Sequence, residues 1–271
     1  MKKIVCLFLL LGGAAVAQQT PLTVPQGGVA VIDLPNGSAQ TIVLDIEQGR
    51  FAEQSVGRLT LNARGINFRQ GALDSLSATV QDGQFDTVPV DQLKLVTQAF
   101  SFDTFELINH RRFLLDKPVN AQVALKLSEA SLNRFFSNPK TIERLEKAIS
   151  KKTGNLLPVR LSDPGVVFLG KNRIRLNLTA HILEAPTPLE MVGRLGVQNG
   201  KLALSELALA SNGVTLPIDL THILGQKINE MLDFERLGKN QFVIQAQSMS
   251  MVGKALEVKG TAALTRLEFG Q

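Results

Sequence analysis

The sequence predicts an α+β fold in which a strongly curved, mainly antiparallel sheet wraps around a few amphipathic helices. Three observations carry that expectation. Val119, Ala121, Val123, Leu125 and Leu127 alternate with Asn120, Gln122, Ala124 and Lys126, the period of two of a strand with one buried face. Without a loop, the pattern changes at Ser128, a good N-cap residue, to a helical one in which Leu132, Phe135 and Phe136 share a face. Asn138-Pro139 breaks that helix and opens another, since proline suits a first helical turn. The second helix turns Ile142, Leu145 and Ile149 to one side and Glu143, Arg144, Glu146 and Lys147 to the other. A one-sided sheet thus feeds directly into one-sided helices.

Ahead of the fold, residues 1–17 read as a cleaved export signal. Lys2 and Lys3 precede an apolar run at 4–11, and Ala15-Val16-Ala17 supplies a small-x-small cleavage site before Gln18. The 14 residues from Ile4 to Ala17 fall short of the roughly 20 needed to span a bilayer. An exported location follows, in the periplasm or cell envelope, for a soluble or peripheral protein. Residues 18–28, rich in Gln, Thr, Pro and Gly, read as a flexible leader. Residues 29–271 read as a single domain, with no break in composition.

Within that domain, 29–34 and 41–46 form a hairpin around Asn36-Gly37. From Arg58 the alternation is clean, and Gly65 shifts it so that Ile66 and Phe68 continue the apolar face, the mark of a bulge. Further strands are expected at 76–80, 93–97, 101–107 and 113–115. After the helical pair, which Gly154 terminates, strands follow at 156–161 and 166–169. At 173–183, Ile174, Leu176, Leu178, Ala180 and Ile182 oppose Arg173, Arg175, Asn177, Thr179 and His181. Strands at 189–197 and 201–210 pair across Gln198-Asn199-Gly200. A third helix at 218–232 carries Leu220, Ile223, Leu224, Ile228, Met231 and Leu232 on one stripe. Two closing strands, 242–250 and 256–267, turn near Gly253-Lys254.

Composition narrows the function. The one cysteine, Cys6, lies in the signal, so no disulfide is expected. Loss of Lys2 and Lys3 lowers the net charge from +5 to +3, too little to imply nucleic acid. There is no Trp or Tyr beside 14 Phe, which counts against a carbohydrate-stacking surface. Catalytic motifs return decoys: Ser137-Asn138-Pro139-Lys140, Lys152-Thr153-Gly154 and Ser131-Leu132-Asn133 resemble the three elements of penicillin-binding enzymes, but in the wrong order and crowded together. Their plainer role is to cap, start and stop two helices. His110, His181 and His222 have no metal-ligand spacing, and no nucleophile elbow, P-loop or dinucleotide fingerprint occurs. No enzyme activity, cofactor or metal is expected.

The basic groups are His110-Arg111-Arg112, Lys151-Lys152 and Lys171-Asn172-Arg173 with Arg175. Each fits either a solvated surface or a contact with phosphate head groups, to which guanidinium pairs bidentately. The helical stripes likewise fit a plain core or the lining of a cavity.

Val56-Gly57-Arg58-Leu59-Thr60-Leu61 and Gln70-Gly71-Ala72-Leu73-Asp74-Ser75-Leu76 resemble the opening strands of LmeA-like phospholipid-binding domains. Lys117-Pro118-Val119-Asn120-Ala121, followed by Leu127-Ser128-Glu129-Ala130-Ser131-Leu132-Asn133, resembles that family's most recognisable stretch, where a strand ends in a Leu-(Ser/Thr)-Glu-x-x-Leu-Asn helix start. The resemblance covers 56–150, and the remainder by pattern. It implies a tubular lipid-binding architecture with acyl chains in an apolar groove, and no catalytic residues. One departure is that such domains often begin with a helix, whereas 18–46 is Pro/Gly-rich and strand-like.

The expectation is therefore an exported envelope protein that holds or shuttles phospholipid or another acyl lipid and touches the membrane surface peripherally. Leu132, Phe135, Phe136, Ile142, Leu145, Ile149, Ile223, Leu224 and Ile228 would line the groove. Arg111, Arg112, Arg173 and Arg175 would meet head groups. The alternative is a structural envelope protein whose same residues close a dry core without a ligand. The volume of the cavity discriminates between them.

Overall fold

The computed structural model describes residues 32–33, 37–51, 54–85, 87–110, 114–152, 159–182, 185–210, 220–233 and 242–264. The export signal, the leader, Arg111, Arg112 and the Gly154 stop lie outside the described residues. The described residues form fourteen strands and four helices. In chain order they are β1 (Ile32–Asp33), β2 (Ser38–Phe51), β3 (Gln54–Asn67), β4 (Ala72–Leu73), β5 (Ser75–Phe85), β6 (Val88–Thr97) and β7 (Phe100–Ser101), then α1 (Thr104–His110). Next come β8 (Val119–Ser128), α2 (Glu129–Phe136), α3 (Pro139–Lys152), β9 (Val159–Gly170), β10 (Arg173–Ile182), β11 (Ala185–Gln198) and β12 (Lys201–Ala210). The last are α4 (Leu220–Met231), β13 (Phe242–Val252) and β14 (Ala255–Leu264). None of these helices is long and apolar enough to cross a membrane.

The strands do not make one continuous sheet. They divide into a ten-stranded sheet, ordered β1-β2-β3-β5-β6-β8-β14-β13 with β4 and β7 attached at β3, and a four-stranded sheet, ordered β12-β11-β10-β9. Every pairing is antiparallel. The break falls where β8 runs into α2: the chain leaves the large sheet through two helices and starts the small sheet afresh. Strand β8 buries Val119, Ala121, Val123, Leu125 and Leu127 and exposes the residues between them. Ser128 ends it and caps α2, accepting a 3.1 Å hydrogen bond from the Ser131 backbone N–H. Helix α2 touches β6 and β8 of the large sheet and β9 of the small one, so it stands at their junction. Helix α3 packs on β9, α4 on β12, and the two helices on each other.

Two apolar cores result. One gathers the inner faces of β8, β10, β11, β13 and β14 with helices α2–α4; the other lies at β2, β3 and β5 with Phe102 and Leu107. The turns follow their chemistry. Asn199 and Gly200 both have positive φ, as the tight hairpin between β11 and β12 requires.

Four local expectations need correction. Of the strand expected at 113–115, Phe113 lies outside the described residues and Leu115 makes only an isolated bridge with Phe102. Residues 101–107 do not form a strand, because Asp103 accepts a 2.9 Å hydrogen bond from the Glu106 N–H and starts α1. The segments at 156–161 and 166–169 are not separate, since β9 runs unbroken through 159–170 and absorbs an irregularity where Asp163 takes a positive φ. At Gly65 the apolar face does switch, from Ala63 to Ile66, with φ at +63°. Its partner β2 switches in step, from Ile42 to Ala39, so the register of the two strands is unchanged and no bulge forms.

Candidate functional site

Helices α2, α3 and α4 place all nine expected lining residues in one core. Phe135 and Phe136 meet edge to face, their centroids 5.0 Å apart, the geometry that aligns ring edge with ring face. Phe136, Ile142, Leu145, Leu224 and Ile228 line a cavity in the seam between the helices and the small sheet, opposite Leu161, Leu176 and Leu178. Leu132, Phe135, Ile149 and Ile223 pack into the same core without lining it. The cavity measures about 20 Å³. That holds about one water, whereas small-molecule sites occupy roughly 300–1,000 Å³. The seam is closed in this state.

Polar side chains hold its sheet edge. A sheet edge carries unpaired backbone N–H and C=O groups, and helix α2 meets those of β9 with its own side chains. Asn133 Nδ2 donates to the Val166 carbonyl at 3.0 Å, and its Oδ1 accepts from the Val166 N–H at 2.7 Å. One turn earlier, Glu129 Oε2 accepts from the Phe168 N–H at 2.8 Å. Four residues along a helix rise about 6.0 Å and two along a strand about 6.6 Å, so the two spacings match. Farther along β9, Glu146 of α3 accepts from the Leu161 N–H at 2.8 Å. The opposite edge is treated alike: Asn229 of α4 accepts from the Leu204 N–H at 2.6 Å and donates to the Leu204 carbonyl at 3.0 Å. The hydrogen bond from Phe168, with Lys254 beside it, holds the Glu129 carboxyl below its ordinary value.

These clasps were not anticipated as site residues, although Glu129 and Asn133 belong to the Leu-Ser-Glu-x-x-Leu-Asn stretch. The structure gives each polar member a task. Ser128 caps the helix, and its hydroxyl and that of Ser131 both donate to Asp91 of β6, at 3.0 and 2.8 Å. Glu129 and Asn133 take the edge of β9. The available signal is a helix whose Glu and Asn stand four apart, on one face, with hydrogen-bonding capacity left over after the local bond from Asn133 Nδ2 to the Glu129 carbonyl.

The two described head-group candidates, Arg173 and Arg175, lie apart from the seam. Arg173 is exposed where β10 leaves its turn, and Arg175 lies with its Nε 3.2 Å from Glu190 Oε1. Both alternate with the buried Ile174 and Leu176, on the other face of β10. Beside α4 an open cleft of about 480 Å³ is bordered by Leu207, His222, Gly225 and Asn229. His181 Nε2 lies 3.0 Å from Ser162 Oγ, whose single proton is directed to Asp163 Oδ2 at 2.8 Å. The hydroxyl therefore accepts from the imidazole instead of being activated by it. No three His, Cys, Asp or Glu side chains are grouped to hold a metal among the described residues.

A family model described as LmeA-like phospholipid-binding matches residues 50–261. No curated protein matches the chain. Among solved structures, a crystal structure of lipopolysaccharide binding protein aligns with 98% of this chain and 96% of its own at 7% identity. Its TM-score of 0.17 is too low to carry an argument. The family match takes in the small sheet, all four helices, every clasp residue and the large sheet from β3 into β14, and on that span the chain belongs to the LmeA-like phospholipid-binding family.

Proposed function

We propose that this protein is exported to the cell envelope, where it holds or shuttles phospholipid with the acyl chains in the apolar seam between α3, α4 and the small sheet. The observation that carries the reading is the family match across residues 50–261, which includes the whole seam. The seam's lining supports it, being almost wholly aliphatic and aromatic. The work is physical and not catalytic. Moving an acyl chain from a bilayer into water costs about 0.8 kcal/mol per CH₂, on the order of 12 kcal/mol for a 16-carbon chain. An apolar seam offsets most of that cost. Because the closed cavity is about 20 Å³, loading requires α3, α4 and the sheet to part, and the α2 clasps from Glu129 and Asn133 keep the edge of β9 ordered while they do. Arg173, exposed on the other face of β10, provides a cation for head groups outside the seam.

That small cavity also favours a second reading, a structural envelope protein with a closed core and no ligand. Native mass spectrometry of the protein purified from the envelope separates the two. The carrier reading expects a mature chain beginning at Gln18 with a co-purified phospholipid, and uptake of a short-chain fluorescent phospholipid. A lipid-free protein that takes up none refutes the carrier and leaves the closed core.

A further inference from the structure

Five large apolar side chains are exposed among the described residues: Phe105, Ile108, Val167, Leu169 and Val252. Three of them stand on elements that Glu129 ties together at the Ser128 end of β8. The Glu129 carboxylate joins a strand and a turn there, accepting from the Phe168 N–H on β9 at 2.8 Å and pairing with Lys254 Nζ at 3.2 Å. Val167 and Leu169 flank Phe168 on the outer face of β9, and Val252 stands next to the Gly253-Lys254 turn, 63% exposed. Lys171 and Arg173 are exposed at the neighbouring β9–β10 turn. Among the described residues, the one ion pair reaching Lys171, Arg173 or Lys254 is that of Lys254 with Glu129.

The turn chemistry points the same way. Lys171 and Asn172 both have positive φ in a two-residue hairpin, a place that favours Asn and Gly. A lysine there is held in a disfavoured conformation with its charge at the outermost point. Valine and leucine beside exposed cations suit a surface that is apolar beneath and anionic above.

We propose that this end, formed by Val167, Leu169, Val252, Lys171, Arg173 and Lys254, docks on an anionic phospholipid bilayer, its apolar side chains among the head groups and its cations against the phosphates. The proposal takes its partner from the phospholipid-binding reading above. It also gives the seam a route to lipid. Pro164 and Gly165 border the cavity and lie within five residues of Leu169 on the same strand, about 15 Å at ~3.3 Å per residue. Phe105 and Ile108 are at the other end: α1 precedes Val119, whereas the Val252 turn joins β8 at Ser128, nine residues and about 30 Å away.

Co-sedimentation with vesicles tests this, comparing phosphatidylcholine alone with an equal mixture of phosphatidylcholine and phosphatidylglycerol. Anionic vesicles should bind more tightly, and less so as salt rises past 0.1 M, where charges are screened beyond about 10 Å. Lys171→Gln with Arg173→Gln should weaken binding by about fivefold per cation, near 30-fold together. Val252→Ser with Leu169→Ser should weaken it on the order of tenfold, and Phe105→Ser with Ile108→Ser should leave it unchanged. Uptake of monomeric short-chain phosphatidylglycerol, which needs no bilayer, should be the same in all variants. An environment-sensitive dye on Val252→Cys, in a Cys6→Ser background, should shift to the blue with anionic vesicles. Unaltered sedimentation of both tip variants, loss of binding in the Phe105 and Ile108 variant instead, or an unshifted dye overturns the docking surface. If uptake is absent while sedimentation follows the tip residues, the carrier reading fails and the docking surface stands.

Discussion

Replacing Asn133 by alanine removes three hydrogen bonds at once. Its Nδ2 donates to the Val166 carbonyl at 3.0 Å and to the Glu129 carbonyl at 2.9 Å, and its Oδ1 accepts from the Val166 N–H at 2.7 Å. Val166 is 2% exposed, so both its backbone groups would lose their partner in a place water enters poorly. Each buried group left unsatisfied costs about 1–3 kcal/mol. Asn133 itself is half-buried, which lets water reach part of the vacated space. Alanine also returns about 0.5 kcal/mol through its higher helix propensity. The net expectation for Asn133→Ala is a loss of about 2–3 kcal/mol, or roughly 4–12 °C in Tm for a domain of this size. Urea unfolding gives the first number, and hydrogen exchange locates it. The Val166 amide should exchange faster while the Phe168 amide, held by Glu129, stays protected. Asn229→Ala should behave alike at Leu204 on the opposite edge of the small sheet. The two edges lie three strand spacings apart, about 14 Å, so the double variant should be additive within about 0.5 kcal/mol. A loss below about 0.5 kcal/mol for Asn133→Ala, with Val166 exchange unchanged, would show that the clasp does not hold the edge.

Two further outcomes follow from the same core. Phe135 is 1% exposed against Phe136, so Phe135→Ala should cost about 3–5 kcal/mol by thermal or urea unfolding, and a cost under 1 kcal/mol would mean the space had already been loose. Glu129 has a folded-state pKa below its ordinary 4.5, chiefly because it accepts the Phe168 N–H. Its contribution is therefore complete above pH 4.5 and lost as pH falls through the lower folded value. Glu129→Gln should flatten that acid limb of the stability curve, and an identical limb in both proteins would remove Glu129 as its source.

Much of the local structure was legible because it depends on neighbours in sequence. Alternation in β8 and β10 reports which face is buried whatever covers it, since side chains along a strand alternate by geometry. The Ser128 cap, the Pro139 start and the Asn199-Gly200 turn are satisfied within four residues, so their chemistry is readable in place. Helix α1 carries a local signal too, since Asp103 and Glu106 stand at capping-box spacing, but the apolar residues between 100 and 108 suit a strand as well.

Sequence by itself determined the element types apart from α1, the buried faces of β8, β10 and helices α2–α4, and the likeness to a phospholipid-binding family. Tertiary structure alone decided the rest, because it rests on contacts between segments far apart in the chain. The division into two sheets depends on where β8 stops pairing and on Asn133 and Asn229 meeting strand edges 33 and 25 residues away. Cavity volume is the small remainder of many side-chain packings, and alternation cannot distinguish a tight seam from an open groove. The gathering of Val252 with Leu169 likewise depends on Glu129 linking a turn that follows it by 125 residues to a strand that follows by 39. Period and propensity act over a few residues; which distant edges and turns meet is settled by how the whole core packs.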